Sequence, residues 1–553
     1  MGKRVLIVGG VAGGASCAAR LRRLDESAEI VVFDRGPFVS FANCGLPYFV
    51  GNVIADQKSL LVASSELFRD RFNIAVRTRH EVLAIERARR TIRVRDLDAA
   101  GGPRDSDEPY DALVLSPGAL PVRPPLPGID LPGIFAVRTI PDSVKIRSWI
   151  EERRPTRALV VGAGFIGLEM AENLAHRGLE VTILEKLPQV LPPLDPEMAH
   201  WVRAHLAGKG VGLVVGDGIA AFEPSGGAIA AVTERGQRLA TDLVILAIGV
   251  RPESDLARAA GLRLGERGGI VVDDRMRTVD PHIWAVGDAV EVHDVLTGQE
   301  TIVPLAGPAN RQGRVAAEAI CGRARRFRGV QATAVVGVFG LTVACTGASE
   351  KGLRRAGVTR FQKVYLHPGH HAGYYPGAEP IHLKVVFSEP DGSILGAQAV
   401  GLHGVEKRID VIAMAIQMGA TVRDLAEAEL CYAPQFGAAK DPVNLAGMIA
   451  TNYLDGDMPL AGWLPLDADG ALLVDVREPA EFADGHIPGA VNLPLSQLRR
   501  RYTELPADRP LALCCAVGQR AYYAARFLAQ HGYRAANLSG GYATYLAMKE
   551  AGC

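Results

Sequence analysis

Two thiols and two glycine-rich turns hold most of the chemistry that this chain of 553 residues can do. Cys44 lies in Ser40-Phe41-Ala42-Asn43-Cys44-Gly45-Leu46-Pro47-Tyr48-Phe49, directly after a strand-turn-helix-strand unit of the kind that binds a nucleotide. A thiol at that place would come up to a bound cofactor, which suggests redox chemistry; the plain alternative is a buried, inert cysteine. The first turn is Gly9-Gly10-Val11-Ala12-Gly13-Gly14 and the second Gly162-Ala163-Gly164-Phe165-Ile166-Gly167. Each should present helix N-terminal amides to a pyrophosphate, with glycine wherever a side chain would block the approach. Asp34 and Glu185 end the strands that follow, where a dinucleotide fold places the acid that binds ribose hydroxyls. The second turn has all three glycines, whereas Val11 replaces the middle glycine of the first. Glu185 would repel a ribose phosphate, which favours NADH, and Lys186 beside it leaves NADPH open.

The elements that must position these groups are short, apolar and β-branched. Val5-Leu6-Ile7-Val8 predicts a buried parallel strand, followed by a helix from about Ala15 to Leu24 and a strand over Ile30–Phe33. Ala158–Val161 and Val181–Leu184 repeat the pattern. Two dinucleotide sites in one chain imply a pair of cofactors, most simply a flavin and a nicotinamide. Three further strands run into turns: one before Ser116-Pro117-Gly118, one before Gly249, and Ile283–Val286 before Gly287-Asp288.

The length suggests three or four domains. Lys and Arg together number 61, as do Asp and Glu, so composition gives no electrostatic case for nucleic acid or an anionic membrane. The eight cysteines form no CxxC pair and no cluster with His at zinc spacing, which argues against a disulfide framework or a metal site and for a reducing compartment. No signal peptide, myristoylation signal or membrane-spanning run is read from the sequence, and a cytoplasmic location is expected.

Taken in order, these segments resemble the FAD-dependent pyridine nucleotide-disulfide oxidoreductases over roughly the first 450 residues. The last part is similar to a rhodanese domain through Ala471–Glu478, Gly485-His486-Ile487-Pro488-Gly489-Ala490 and Leu511–Arg520. The fold class implied is α/β: two dinucleotide-binding Rossmann-like domains, for FAD and NAD, an α+β dimerisation domain and a C-terminal α/β rhodanese domain. The expected boundaries are 1–117 and 251–329 for the FAD domain, 118–250 for the NAD(P)H domain, 330–452 for dimerisation, a linker at 453–467, and 468–553 for rhodanese. A helix is expected near Asp410 to Met418.

The resemblance implies roles. Two-cysteine relatives carry their second thiol five residues on, where this chain has Phe49, so Cys44 resembles the single-cysteine branch. That branch holds coenzyme A-disulfide reductases, persulfide and polysulfide reductases, and NADH oxidases and peroxidases. FAD would be held by Gly9, Val11, Ala12, Gly14, Asp34, Arg35, Ser116, Gly118, Gly287 and Asp288. The nicotinamide cofactor would be held by Gly162, Gly164, Gly167, Glu185 and Gly249. Coenzyme A would meet Ser16, Arg20, Arg23, Ser40 and Asn43, although Arg20 and Arg23 also suit an ordinary solvated helix face. Tyr432, with Tyr374 or Tyr375, resembles the tyrosines that a partner subunit supplies, or packs at a dimer interface. Cys515 aligns with the persulfide-forming cysteine, supported by Arg520. Cys514 reads as a core residue, Cys17, Cys321, Cys345 and Cys431 as packing cysteines, and His486 as structural. The activity implied is NADH-dependent reduction of a persulfide such as that of coenzyme A, or of polysulfide, by a homodimer. Coenzyme A disulfide or oxygen is the alternative acceptor; a redox-regulated sulfur carrier or sensor is the alternative of another class.

Overall fold

Apolar β-branched runs form the centres of two parallel sheets in the first of two units. The computed structural model describes residues 2–463 and 470–552. The chain divides into Met1–Lys186 with Gly212–Val330, and Leu187–Val211 with Gln331–Cys553. In the first unit one sheet runs Ile283–Ala285, Ala112–Leu115, Arg4–Val8, Glu29–Asp34, Ala75–Thr78, every pair parallel. Val5, Leu6 and Ile7 are buried, as a central strand with both faces covered requires. Fully burying such a side chain contributes roughly 1.5–3 kcal/mol.

The first helix spans Ala12–Arg22, starting and ending earlier than its pattern predicts. Gly13 and Gly14 lie on its buried face, so the glycines belong to the helix rather than to a turn ahead of it. At the other end the buried Arg22 guanidinium donates to the carbonyls of Asp25, Glu26, Phe72 and Asn73, which folds the chain back.

The second sheet of this unit runs Gly212–Val215, Glu180–Glu185, Arg157–Val161, Leu243–Leu246, Ile134–Phe135, again parallel throughout. The chain passes between the two sheets twice, and the two passages, Ala119–Pro121 and Val250–Pro252, pair antiparallel.

The second unit contains an antiparallel sheet ordered Ala334–Val338, Leu341–Gly347, Ile394–Gly401, Ile381–Ser388, Phe361–Leu366. Under it the fully buried Lys384 is paired with Asp195 (2.8 Å), Glu197 (2.5 Å) and Glu350 (2.6 Å), so an ammonium already fills this acidic cluster. The helix expected near Asp410 is longer, Val405–Gln417, and starts at Gly404 in the left-handed region.

The C-terminal sheet is parallel, ordered Val491–Asn492, Leu472–Asp475, Leu511–Cys514, Ala535–Asn537. The stretch expected as a linker is part structure. Tyr453 and Leu454 close the helix Pro442–Leu454. Leu460 bridges in parallel to Asn537, whose amide donates to Pro459 O (2.9 Å) and whose carbonyl accepts from Ala461 N (3.0 Å). Two backbone bonds need no hydrophobic period, which is why the pattern hides them. Residues 464–467 of the predicted linker lie outside the described residues. This sheet's last loop rests on the edge strand of the antiparallel sheet. Ser539 Oγ accepts from Tyr365 N (2.8 Å) and donates to Tyr365 O (3.2 Å), and Thr544 Oγ1 lies 2.9 Å from His367 Nε2. Among the described residues no helix is long and apolar enough to cross a membrane.

Candidate active site

The first glycine-rich turn closes by close approach. Gly9 has φ +91°, and a Cβ there would lie 2.1 Å from the Ser116 carbonyl oxygen, so the position admits only glycine. Gly14 abuts the Gly9 carbonyl in the same way. Val11 is the helix N-cap and makes no side-chain cap bond, and Ala12 begins the helix, so no side chain caps the first amides. Asp34 accepts from Gly10 N (3.0 Å) and Gly36 N (2.8 Å), and burial pushes its carboxyl up. Arg35 is paired with Glu253. The Ser116 hydroxyl lies against Gly13 and Gly287. Gly287 N donates to Gln312 (2.7 Å).

Asp288 accepts no hydrogen bond from the described residues; burial raises its carboxyl and Arg138 opposes the rise. Arg138 has no motif around it, and the sequence gives no reason to single it out. Its guanidinium stands against Gly118 and also interacts with Asp34 and Asp288. With its amide turned to satisfy both ends, Asn43 accepts from Arg138 (2.8 Å) and donates to Phe41 O (3.2 Å). Uncapped helix amides, an unpartnered carboxylate and a guanidinium on the same ground fit an FAD.

The second turn is more open. Gly162 has φ +106° and faces the Ala247 carbonyl, and Gly167 abuts Gly162 O. A Cβ at Gly164 would meet nothing within 4 Å, which leaves room on that side for a pyrophosphate. Glu185 is buried, and its Oε2 accepts from Ala163 N (2.7 Å). Lys186 is paired with Glu234 (2.8 Å). Gly249 O accepts from Val122 N (3.0 Å).

Cys44 sits in the short 3-10 turn Asn43–Gly45, exposed, ahead of the helix Leu46–Val50. Phe49, where a second thiol would stand, is buried with Leu46, Leu60 and Ile140. The charges that act on Cys44 are carboxylates. Partial desolvation of its sulfur, then Glu169 and Asp288, push its thiol up. Tyr48 OH donates to Glu169 Oε1 (3.3 Å). Burial raises Glu169 to about 6, and burial with Glu169 raises Tyr48 to about 12. Sequence reasoning passed over Glu169; its signal is a carboxylate two residues beyond a cofactor turn, in a helix, Phe165–His176, whose neighbouring Leu168 and Met170 are buried.

The five expected coenzyme A ligands are only partly free. Ser16, Arg20 and Arg23 share one helix face. Ser16 Oγ donates to Asn310 Oδ1. Arg20 is paired with Glu318 (2.7 Å), which also draws Arg314 (3.3 Å) and Arg325 (3.6 Å), so its guanidinium is held in an ion-pair cluster. Arg23 is exposed and has no ion-pair partner among the described residues. Ser40, at φ +49°, ties its amide to Gly10 O (2.8 Å).

In the second unit the hydroxyls of Tyr374 and Tyr432 are 2.6 Å apart, and these residues are 75% and 48% exposed. Tyr375 instead stands edge-on to His371. The two tyrosine-bearing segments are joined by Ala372 N donating to Gly437 O (2.9 Å). They are braced by the buried Arg408, whose Nη2 donates to His370 O (2.7 Å) and to Asp441 (2.8 Å). Cys431, expected to pack, is exposed beside Tyr432 because this segment lies on the surface.

Cys515 is buried, and its Sγ accepts from Gly518 N (3.1 Å). Arg520 interacts with the sulfur and is paired with Glu481. Tyr542 N and Ala543 N donate to the carbonyls of Cys515 and Ala516 (2.7 and 3.0 Å), which backs the loop. Cys514 is a core residue, its thiol pushed far up by burial and by Asp475. His486 stacks on Phe482, with Nδ1 3.0 Å from Phe482 O.

Family models match three stretches: pyridine nucleotide-disulphide oxidoreductase over residues 3–313, the dimerisation domain of the same family over 333–441, and a rhodanese-like domain over 462–548. A coenzyme A disulfide reductase of Staphylococcus epidermidis is 36% identical over 445 residues, 80% of this chain and 99% of that one. The crystal structure of reduced Bacillus anthracis CoADR-RHD superposes with a TM-score of 0.96 at 46% identity, covering 100% of this chain and 99% of that one. An NAD-dependent persulfide reductase from A. fulgidus follows at 0.90 and 37%, covering 98% and 99%. The water-forming NADH oxidase of Lactobacillus brevis reaches 0.78 at 27%, covering 82% and 99%.

Proposed function

The chain belongs to the pyridine nucleotide-disulphide oxidoreductases, and on that premise we propose that it reduces coenzyme A persulfide or disulfide with NADH, through Cys44. The observation that carries this reading is an exposed Cys44 whose would-be partner position is the core residue Phe49. Any disulfide such a sulfur forms is with a distant thiol or, more economically, with a small-molecule one, and we infer the second. The turn at Gly9–Gly14, with Ser116, Asp288 and Arg138, would hold FAD, which when bound would pass the electron pair of NADH to a Cys44 disulfide. Gly162, Gly164 and Gly167 make room for the nicotinamide cofactor, and Glu185 beside them favours NADH.

The rest is done by this chain's own residues. The Cys44 thiolate attacks the inner sulfur of CoA–S–SH, forming Cys44–S–S–CoA and expelling HS⁻; from CoA–S–S–CoA it expels CoA–S⁻ instead. Two electrons and one proton then return the mixed disulfide to Cys44 thiolate and CoA–SH. The hydrogen-bonded Tyr374 and Tyr432 hydroxyls are suited to deliver that proton, and in a homodimer they would serve the other subunit's Cys44. Arg23 is the guanidinium left for the nucleotide end of coenzyme A, with Ser16, Ser40 and Asn43 nearer the thiol. The fused rhodanese-like domain favours persulfide over disulfide, with Cys515 as carrier of sulfane sulfur and Arg520 beside it. Steady-state NADH oxidation with coenzyme A persulfide, coenzyme A disulfide, polysulfide and oxygen tests the reading. Turnover should be greatest with the first, and an enzyme that turns over only oxygen contradicts it.

A further inference from the structure

The loop around Cys515 keeps its only cation tied to Glu481 and to the Cys515 sulfur itself. From Cys515 to Arg520 the one charged side chain is Arg520. Its Nη1 and Nη2 donate to Glu481 Oε2 and Oε1 (2.7 and 2.6 Å), a fork-to-fork pair that holds Glu481 down at about 2. The guanidinium that acts on the neighbouring Cys514, Arg477, is likewise bonded to Asp475 (2.6 Å) and lies over the Tyr542 ring. Two guanidiniums thus meet two carboxylates, and the exposed side chains of the loop, Val517 and Gln519, are uncharged. An inorganic thiosulfate brings two negative charges to a thiolate and leaves as a sulfite dianion. With neither of these two guanidiniums free to meet it, that approach sets like charges together. An organic persulfide brings at most one charge on its reacting sulfurs and can lay its carbon skeleton on an uncharged rim.

We propose that Cys515 draws its sulfur from a low-molecular-weight organic persulfide, R–S–SH, in preference to thiosulfate; this rests on the reading of Cys515 as a sulfane-sulfur carrier. In the step, Cys515–S⁻ attacks the outer sulfur of R–S–SH. A new S–S bond forms to give Cys515–S–SH, the donor's S–S bond breaks, and the electron pair leaves on RS⁻, so no oxidant is needed.

The test incubates the full-length FAD-loaded protein with glutathione persulfide, coenzyme A persulfide or thiosulfate at equal concentration, and follows the gain of one sulfur on the Cys515 peptide by mass spectrometry. At least one organic persulfide should load Cys515 about tenfold or more faster than thiosulfate. Which of the two is faster tells whether the donor is the same pool that serves Cys44. Glu481→Gln frees Arg520 and should raise loading by thiosulfate selectively, and Ala516→Arg, which breaks no ion pair, should do the same by adding an unpaired cation. Thiosulfate loading as fast as the better persulfide overturns the preference, and thiosulfate loading unchanged in both variants overturns its assignment to charge. Failure of every donor to load Cys515 instead overturns the carrier reading itself.

Discussion

Cys44 lies at the surface of the first unit facing carboxylates, whereas Cys515 is buried in the second with an amide hydrogen on its sulfur and a guanidinium beside it. Burial alone would rank Cys515 as the inert thiol and Cys44 as the reactive one. Charge gives a different division of labour. What this chain sets around Cys44, desolvation first and then Glu169 and Asp288, disfavours a thiolate, so on the proposed function the stabilising partner would come with a bound cofactor or substrate. What it sets around Cys515 is an amide hydrogen on the sulfur and a guanidinium that interacts with it, both supplied by the chain itself. On the proposed roles, the thiol that cycles with a cofactor depends on it, and the thiol that carries sulfur is served by the fold.

Three perturbations sharpen this contrast, the largest first. Cys44→Ser should lower NADH-dependent sulfide release from coenzyme A persulfide by about 10³-fold or more, as loss of a nucleophile does. Loading of sulfur on Cys515 should continue at the parent's rate. If both fall together, the two sulfurs are not independent.

Tyr432→Phe and Tyr374→Phe each break the hydroxyl pair and should each cost about 10²-fold in turnover. The double variant should be little worse than the poorer single one, because the two act as a unit. Additive losses would separate them.

Glu169→Gln has the smallest effect and the most specific signature. Glu169 ionises near pH 6 and thereafter repels a thiolate at Cys44. The amide removes that repulsion, so the pH midpoint for alkylation of Cys44 by iodoacetamide should fall, and the rate at about pH 7 should rise about 3- to 10-fold. Below about pH 5 the two proteins should converge, because Glu169 is then protonated. The readout must be the Cys44 peptide, since Cys431 is exposed as well. Superimposed profiles would show that Glu169 does not act on the thiol.

The architecture was legible because its signals are repetitive: two glycine-rich turns, each between buried parallel strands and followed by an acid at a strand end. Cys44 and the loop at Cys515 were legible because their segments have distinctive residues at fixed spacing. Arg138, Tyr48 and Glu169 were not. Each acts through a fold-level approach of distant segments, and Glu169 meets Tyr48 across 121 positions of sequence. Arg20 was legible only in part. Its helix face was read correctly, but the carboxylate that holds it, Glu318, stands nearly three hundred residues away. The bridge of Leu460 to Asn537 was hidden for another reason, since backbone pairing leaves no trace in side-chain pattern.

If Cys44 borrows its partner thiol from outside the chain, mass spectrometry under non-reducing conditions will find that thiol on it. The FAD-loaded protein treated with coenzyme A disulfide should carry one coenzyme A on the Cys44 peptide and lose it when NADH is added. A Cys44 peptide found linked to another cysteine of the protein, or an adduct that NADH leaves in place, would contradict the account.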